Sequence, residues 1–204
     1  MIDPHRLPRS VIPNNYRLRL EPDLEAASFE GRVDITAEVT STTSVVVLNS
    51  IELAITDVAV VELESGTSSE VRVKSSFELD DELQRLTISC ERDISPGRIS
   101  IIVEFSGLLN DQLRGFYRST YSDEDGDEHT IATTQFQSTD ARRAFPCFDE
   151  PDFKATFDIT LVVDSELLAV SNSAEVSAEP SGGDKVARTY ATTMKMSTYL
   201  VAFV

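Results

Sequence analysis

Apolar and polar residues alternate one by one along most of this chain. Between Phe29 and Val39, apolar residues and one glycine occupy the odd positions, whereas Glu, Arg, Asp and Thr occupy the even positions. Successive side chains of a strand point to opposite faces, so this alternation predicts a half-buried strand. Similar patterns predict further strands at Tyr16–Leu20, Val45–Leu48, Ile55–Val61, Val71–Val73, Leu86–Cys90, Ile99–Phe105, Thr130–Thr134, Phe157–Val163 and Arg188–Thr192.

Short polar turns separate the predicted strands. Ser95-Pro96-Gly97 and Asp125-Gly126 are typical turn sequences. Many strands joined by short turns indicate an all-β sandwich or folded-over sheet. No internal repeat or low-complexity linker divides the chain, which favours a single domain over residues 1–204. At most single helical turns are predicted, at Ser106–Leu113 and at Pro151–Ala155, where proline suits the first helical position.

The charge of the chain excludes some classes of partner. Of the 204 residues, 35 are Asp or Glu and 18 are Lys or Arg, so the formal net charge is −17. Phosphate backbones and anionic membrane surfaces are bound by clustered positive side chains, and we therefore predict binding to neither nucleic acid nor membrane. The acidic balance alone indicates solubility rather than a particular partner.

The ends of the chain and its cysteines suggest an intracellular fragment. The first ten residues have no apolar core, so no signal peptide is predicted, and no apolar run is long enough to cross a bilayer. Cys90 and Cys147 show no disulfide framework, which predicts two free thiols in the cytoplasm. The apolar neighbours of Cys147 indicate a packed residue rather than a nucleophile. Met194–Val204 becomes more apolar up to its last residue, so we expect the natural polypeptide to continue.

The sequence predicts no metal site within this chain. His5 and His129 are the only histidines, and neither an HExxH nor a CxxC pair is present. The segment Ser122–His129 (SDEDGDEH) alternates aspartates as a calcium loop does, but Gly126 stands at the fourth position counted from Asp123, instead of the sixth. Asp125-Gly126 predicts a hairpin turn there instead.

The candidate binding residues lie in Thr134–Ile159 (TQFQSTDARRAFPCFDEPDFKATFDI). Gln135 and Gln137 flank Phe136, and side chains two apart share a face of an extended backbone. Two amides can thus project together while Phe136 enters the core. Amide oxygens can accept from an ammonium group, and amide NH₂ groups can donate to a carbonyl.

The charged residues that follow suggest a braced loop. Asp140 stands two residues before Arg142 and three before Arg143, at a spacing that favours local ion pairs. The residues alone leave a second interpretation open, in which the amides bond to backbone and the charges are solvated.

The same segment resembles the signature of a known family. Thr134–Pro151 is similar to the pattern TQFExTDARRAFPCxDEP of the N-terminal domain of the aminopeptidase N family of zinc metallopeptidases, in its puromycin-sensitive-like branch. Leu113–Tyr121 (LRGFYRSTY) resembles a second element of that family. Arg6–Asp23, Phe29–Val39 and Met196–Phe203 also fit, so the resemblance covers essentially the whole chain.

The resemblance implies a saddle-shaped, all-β N-terminal domain packed against a thermolysin-like catalytic domain. That second domain, absent from this chain, would supply the zinc-binding HExxH helix, a GxMEN loop and a tyrosine. Zinc is thus implied for the parent enzyme and not for this chain, which would be inactive alone. The implied partners are peptide N-termini and the missing catalytic domain of the same polypeptide.

By the same resemblance, Gln135 and Gln137 line the pocket for the first side chain and free α-amine of a peptide. Gln137 departs from the family pattern, which carries Glu there. The other charged residues of the motif are expected to hold the loop and the inter-domain surface: Asp140, Arg142, Arg143, Asp149 and Glu150.

Two other functions are compatible with the sequence. A non-enzymatic β-sandwich that binds proteins would show the same composition and alternation, because fold does not determine function. The dense motif argues against it, since a generic sandwich needs no such run. A family member with a degenerate catalytic domain is a further alternative.

Overall fold

The alternating segments form strands throughout a computed structural model that describes residues 6–63 and 70–204. In chain order the strands are β1 (Val11–Asp23), β2 (Ser28–Val39), β3 (Thr43–Asn49), β4 (Leu53–Leu63), β5 (Glu70–Val73), β6 (Ser75–Asp80), β7 (Arg85–Ile94), β8 (Gly97–Leu108), β9 (Gly115–Ser122), β10 (Glu128–Gln135), β11 (Thr156–Asp164), β12 (Glu175–Pro180) and β13 (Lys185–Tyr190). The all-β prediction is confirmed.

Within residues 6–63 and 70–204 the strands form three sheets. The largest has eight strands in the order β12-β13-β11-β1-β2-β8-β4-β5, and among these described strands only β1 and β11 pair in parallel. A three-stranded antiparallel sheet has the order β3-β7-β6, and β9 and β10 form a separate hairpin. The prediction of antiparallel and mixed sheets is confirmed.

A shared hydrophobic core joins the sheets. Val33 and Ile35 of β2 are fully buried, as are Leu86 and Ile88 of the three-stranded sheet, and all four belong to one cluster. Across the parallel pair, the ring of Tyr16 in β1 stacks on the ring of Phe157 in β11, with 4.7 Å between the ring centroids. Since one face of each long strand is buried, a shift of one residue in register would expose its apolar set.

The predicted helical turns were wrong in position. Residues 106–108 continue β8, where Gly107 pairs with β2 on one side and β4 on the other. At Pro151 the chain makes a tight turn closed by a hydrogen bond from the Phe153 amide to the Glu150 carbonyl, 3.0 Å long. Single 3₁₀ turns occur instead at Ala141–Arg143 and Thr198–Leu200.

The predicted hairpin turn and the predicted free cysteines are confirmed. Asp125-Gly126 lies in the turn of the β9–β10 hairpin, as predicted. Both cysteines are free and buried. No helix among the described residues is long and apolar enough to cross a membrane. His5 lies outside the described residues.

Candidate functional site

The amide pair stands at the end of the β9–β10 hairpin. Gln135 is the last residue of β10 and pairs with Gly115 of β9. Gln135 and Gln137 are both exposed, whereas Phe136 between them is 2% exposed. The predicted alternation of outward amides and inward ring is confirmed. Their role in substrate binding remains a prediction.

Phe136 anchors the pair through a cluster of aromatic rings. Its ring meets Phe145 and Phe203 edge-on, with centroids 6.0 and 5.9 Å away. The Thr134 hydroxyl also accepts a hydrogen bond from the Phe203 amide at 3.1 Å. These contacts fix the backbone on both sides of Gln135, so the outward position of the amides follows from burial of the ring.

A tight turn follows the pair directly. The Phe136 carbonyl accepts a hydrogen bond from the Asp140 amide at 2.9 Å, and a cis peptide bond joins Gln137 to Ser138. The Asp140 carboxylate then accepts from Nε of Arg143 at 2.7 Å, which confirms the predicted local ion pair. Asp140 therefore holds the turn from both its backbone and its side chain.

Arg143 is held from three directions. Its guanidinium forms ion pairs with Asp140 and with Glu52, which lies before β4. Burial lowers the pKa of Arg143, but the hydrogen bonds that it donates to Glu52 and Asp140 outweigh burial and raise the pKa. Gly115 packs against the side chain of Arg143, and a Cβ at Gly115 would lie 2.8 Å from the Arg143 Cβ. A residue with a side chain at position 115 would therefore collide with Arg143, whose ion pairs hold the loop.

An ion pair between Arg142 and Asp149 holds the loop between β10 and β11, which comprises residues 136–155. Nε of Arg142 donates to the Asp149 carboxylate at 2.9 Å, and Nη2 donates to the Asp149 carbonyl at 3.2 Å. The second carboxylate oxygen accepts from the Thr198 hydroxyl at 2.6 Å. Nη1 of Arg142 reaches the side chain of Gln84 at 3.1 Å. The predicted role of Arg142 and Asp149 in holding the loop is confirmed.

The loop also joins the three-stranded sheet. Asn49, the last residue of β3, exchanges two backbone hydrogen bonds with Cys147, at 2.7 and 3.1 Å. Its side-chain oxygen accepts from the Asp149 amide at 3.2 Å. The loop is thus tied to β3 at one point and continues into β11 of the large sheet.

Glu150 ties the loop to the segment before β1. Its carboxylate accepts a hydrogen bond from Nε of Arg6 at 2.9 Å and pairs with Arg9 at 3.3 Å. The backbone amide of Leu7 donates to its other oxygen. This confirms that Glu150 holds the loop, whereas contact with a second domain remains a prediction.

The thiol of Cys147 is unsuited to nucleophilic chemistry. Burial raises its pKa well above the ordinary value of 9.0, and the nearby charge of Asp149 raises it further. Burial likewise raises the pKa of Tyr16, whose hydroxyl accepts from the Phe148 amide at 3.1 Å. Both side chains are packed under the loop, as predicted for Cys147.

The described residues contain no group of three or more His, Cys, Asp or Glu side chains that could hold a metal ion. In the acidic hairpin, the Asp123 carboxylate accepts from the amides of Asp125 and Asp127 at 3.0 and 2.9 Å, and contacts the His129 ring at 2.7 Å. The hydrogen bond from His129 lowers the pKa of Asp123. The carboxylate of Asp123 therefore shapes the turn.

Sequence reasoning missed the distant partners of the loop. They are Asn49, Glu52, Gln84 and Thr198, which come from three separate parts of the chain. Glu52 and Gln84 have positive φ angles of 61° and 54°. No signal in the sequence pairs these residues with the loop, because each contact depends on how the sheets fold together.

The chain is similar to known aminopeptidases over almost its whole length. The Peptidase M1 N-terminal domain family matches residues 12–200. The puromycin-sensitive aminopeptidase of Caenorhabditis elegans is 43% identical over 97% of this chain, and aminopeptidase M1-D of Oryza sativa subsp. japonica is 44% identical over 98%. The chain spans only 21% and 22% of the length of these two relatives. It therefore belongs to the Peptidase M1 N-terminal domain family.

Proposed function

We propose that this chain is the single N-terminal β domain of a longer zinc aminopeptidase that removes N-terminal residues from peptides. The exposed pair Gln135 and Gln137, held by buried Phe136, is the observation that carries the proposal. The match to aminopeptidases over nearly the whole chain supports it.

The amide pair would bind the first residue of a peptide. The side-chain oxygen of Gln137 would accept a hydrogen bond from the α-ammonium group, and Gln135 would line the pocket for the first side chain. A rigid backbone lowers the entropy cost of binding, because the substrate does not have to order the backbone that carries the amides. The ion pairs of Arg142 with Asp149 and of Arg143 with Asp140 supply that rigidity.

Zinc does not fit this chain, since its described residues offer no suitable ligand cluster. The metal of the parent enzyme would be held by another part of the polypeptide, and residues 1–204 would have no peptidase activity alone. Two buried free thiols support a reducing compartment, which we propose to be the cytoplasm.

The complete reading frame provides the first test. It is expected to encode a GxMEN loop, an HExxH helix and a downstream glutamate, and its product is expected to cleave aminoacyl arylamides and to lose that activity with a chelator. Residues 1–204 expressed alone are the control and should show none. A product that folds but lacks those ligands and that activity would support a protein-binding module instead.

The second test concerns the site. In the complete protein, Gln135→Ala should change the preference among arylamides with different first side chains. Gln112→Ala is a control in an exposed loop. If Gln135→Ala and Gln112→Ala show the same preference among the arylamides, Gln135 does not line the proposed pocket.

A further inference from the structure

An apolar groove opens beside the hairpin that carries Gln135. Its cavity volume is about 90 Å³, and of the described residues that line it only Thr130 is polar. The hairpin contributes Phe116 and Ile131 to its lining, and β11 and the segment after it contribute Leu161 and Leu168. No charged residue lines it, although the chain as a whole carries a net charge of −17.

The rim of the groove is exposed and apolar. Leu168 and Val204 line the groove and are 82% and 45% exposed, and Val170, which is bonded to Val204, is 49% exposed. Val170 and Val204 exchange backbone hydrogen bonds of 2.9 and 3.0 Å, so the rim is an ordered surface rather than a loose end. Exposed apolar side chains around an apolar groove are typical of an interface.

The groove is connected to the amide pair through one ring. Phe203 lines the groove, and its centroid lies 4.9 Å from Phe116 and 5.9 Å from Phe136. Phe136 in turn lies between Gln135 and Gln137. Packing in the groove therefore acts on the cluster that positions the amides.

We infer that an apolar side chain from the catalytic part of the same polypeptide fills this groove and thereby stabilises the amide pair in its binding position. This inference rests on the proposed function. The relatives are almost five times as long as the chain, which leaves a large part of the polypeptide to cover the surface. Apolar cavities of about 150 Å³ accept a benzene ring, so this smaller one suits an aliphatic side chain.

Thiol labelling of the complete protein tests whether the groove is covered. Leu168→Cys places a thiol on the rim, and Met194→Cys is a matched control because Met194 is also 82% exposed in this chain. The native cysteines are both buried. We expect the thiol introduced at position 168 to react at least about tenfold more slowly than the one at position 194, because a docked side chain must first leave.

Equal labelling rates would overturn the inference, even if the complete protein is an active aminopeptidase. Protection that disappears on dilution would also overturn it, because a second copy would then be the occupant. An inactive complete protein would contradict the proposed function, while protection at position 168 would still show that the groove is covered.

Kinetics test the link to the amide pair. Leu168→Asp puts a charge at the rim without disturbing a buried residue, and it should raise KM for an aminoacyl arylamide about fivefold or more, while Met194→Asp leaves it unchanged. If labelling of the Leu168→Cys variant shows that the groove is covered, an unchanged KM for the separate Leu168→Asp variant would remove the link to Gln135 and Gln137.

Discussion

Arg142 donates to Asp149 at 2.9 Å across the two ends of the loop, in a pair whose side chains are 13% and 1% exposed. Every polar atom of the Asp149 carboxylate is used, since its other oxygen accepts from Thr198. Removing one partner of such a pair leaves an uncompensated buried charge. The pair is therefore a test of how firmly the loop is held.

Asp149→Ala should lower the free energy of unfolding of the 204-residue chain by about 3 to 5 kcal/mol. The exposed pair Arg32–Glu104, 2.6 Å long, provides the control, and Glu104→Ala should cost about 1 kcal/mol or less. Urea unfolding measures both. Similar losses for the two variants would mean that Asp149 contributes no more than a surface charge does.

Gln137→Glu in the complete protein should lower KM for aminoacyl arylamides about fivefold to tenfold. A charge-assisted hydrogen bond to the α-ammonium is worth about 1.5 to 3 kcal/mol, against about 0.5 to 1.5 for a neutral one. Gln112→Glu adds the same charge to an exposed loop and should leave KM unchanged. An unchanged or raised KM for Gln137→Glu would count against its contact with the amine.

Gly115→Ala should destabilise the chain more than Gly182→Ala. Both glycines have positive φ, 68° and 90°, so alanine costs roughly 1 to 2 kcal/mol of backbone strain at either position. Only at Gly115 would the new Cβ also meet Arg143, at 2.8 Å, whereas nothing lies within 4 Å of it at Gly182. Urea unfolding of the two variants compares the costs, and equal values would show that Arg143 moves aside freely.

Alkaline pH should destabilise the chain. Burial raises the pKa values of Cys147 and Tyr16 above their ordinary values of 9.0 and 10.0, so both stay protonated in the folded state after the unfolded chain has lost those protons. The unfolded state then binds fewer protons, and the free energy of unfolding falls as pH rises above about 9.

Cys147→Ala isolates the part that comes from the thiol. Between about pH 9 and pH 10 its stability should fall less steeply than that of the parent chain, by up to about 1.4 kcal/mol per pH unit. Urea unfolding across that range measures the slope, which is independent of the constant cost of the small cavity. If the free energy of unfolding falls with pH equally steeply in Cys147→Ala and in the parent chain, other groups such as Tyr16 cause the loss of stability at alkaline pH.

Alternation predicted the strands that bury one face, and it failed where a strand buries little. The edge strand β12 was missed because almost all of its side chains are exposed, and β6 was missed for the same reason. The parallel pairing of β1 with β11 could not be predicted, since no local pattern relates segments so far apart. Within the site, the outward amides and the Asp140–Arg143 pair followed from spacing, because both depend on neighbours in sequence.

The parallel pairing of β1 with β11 has a consequence for biosynthesis. Asn15 pairs with Thr156, so β1 is synthesised 141 residues before the strand with which it pairs. At about 5 to 20 residues per second, that interval lasts roughly 7 to 28 s. During it, β1 has β2 on one side and an open edge on the other. The nascent chain is therefore most exposed to aggregation or to chaperone capture before the residues around Thr156 leave the ribosome.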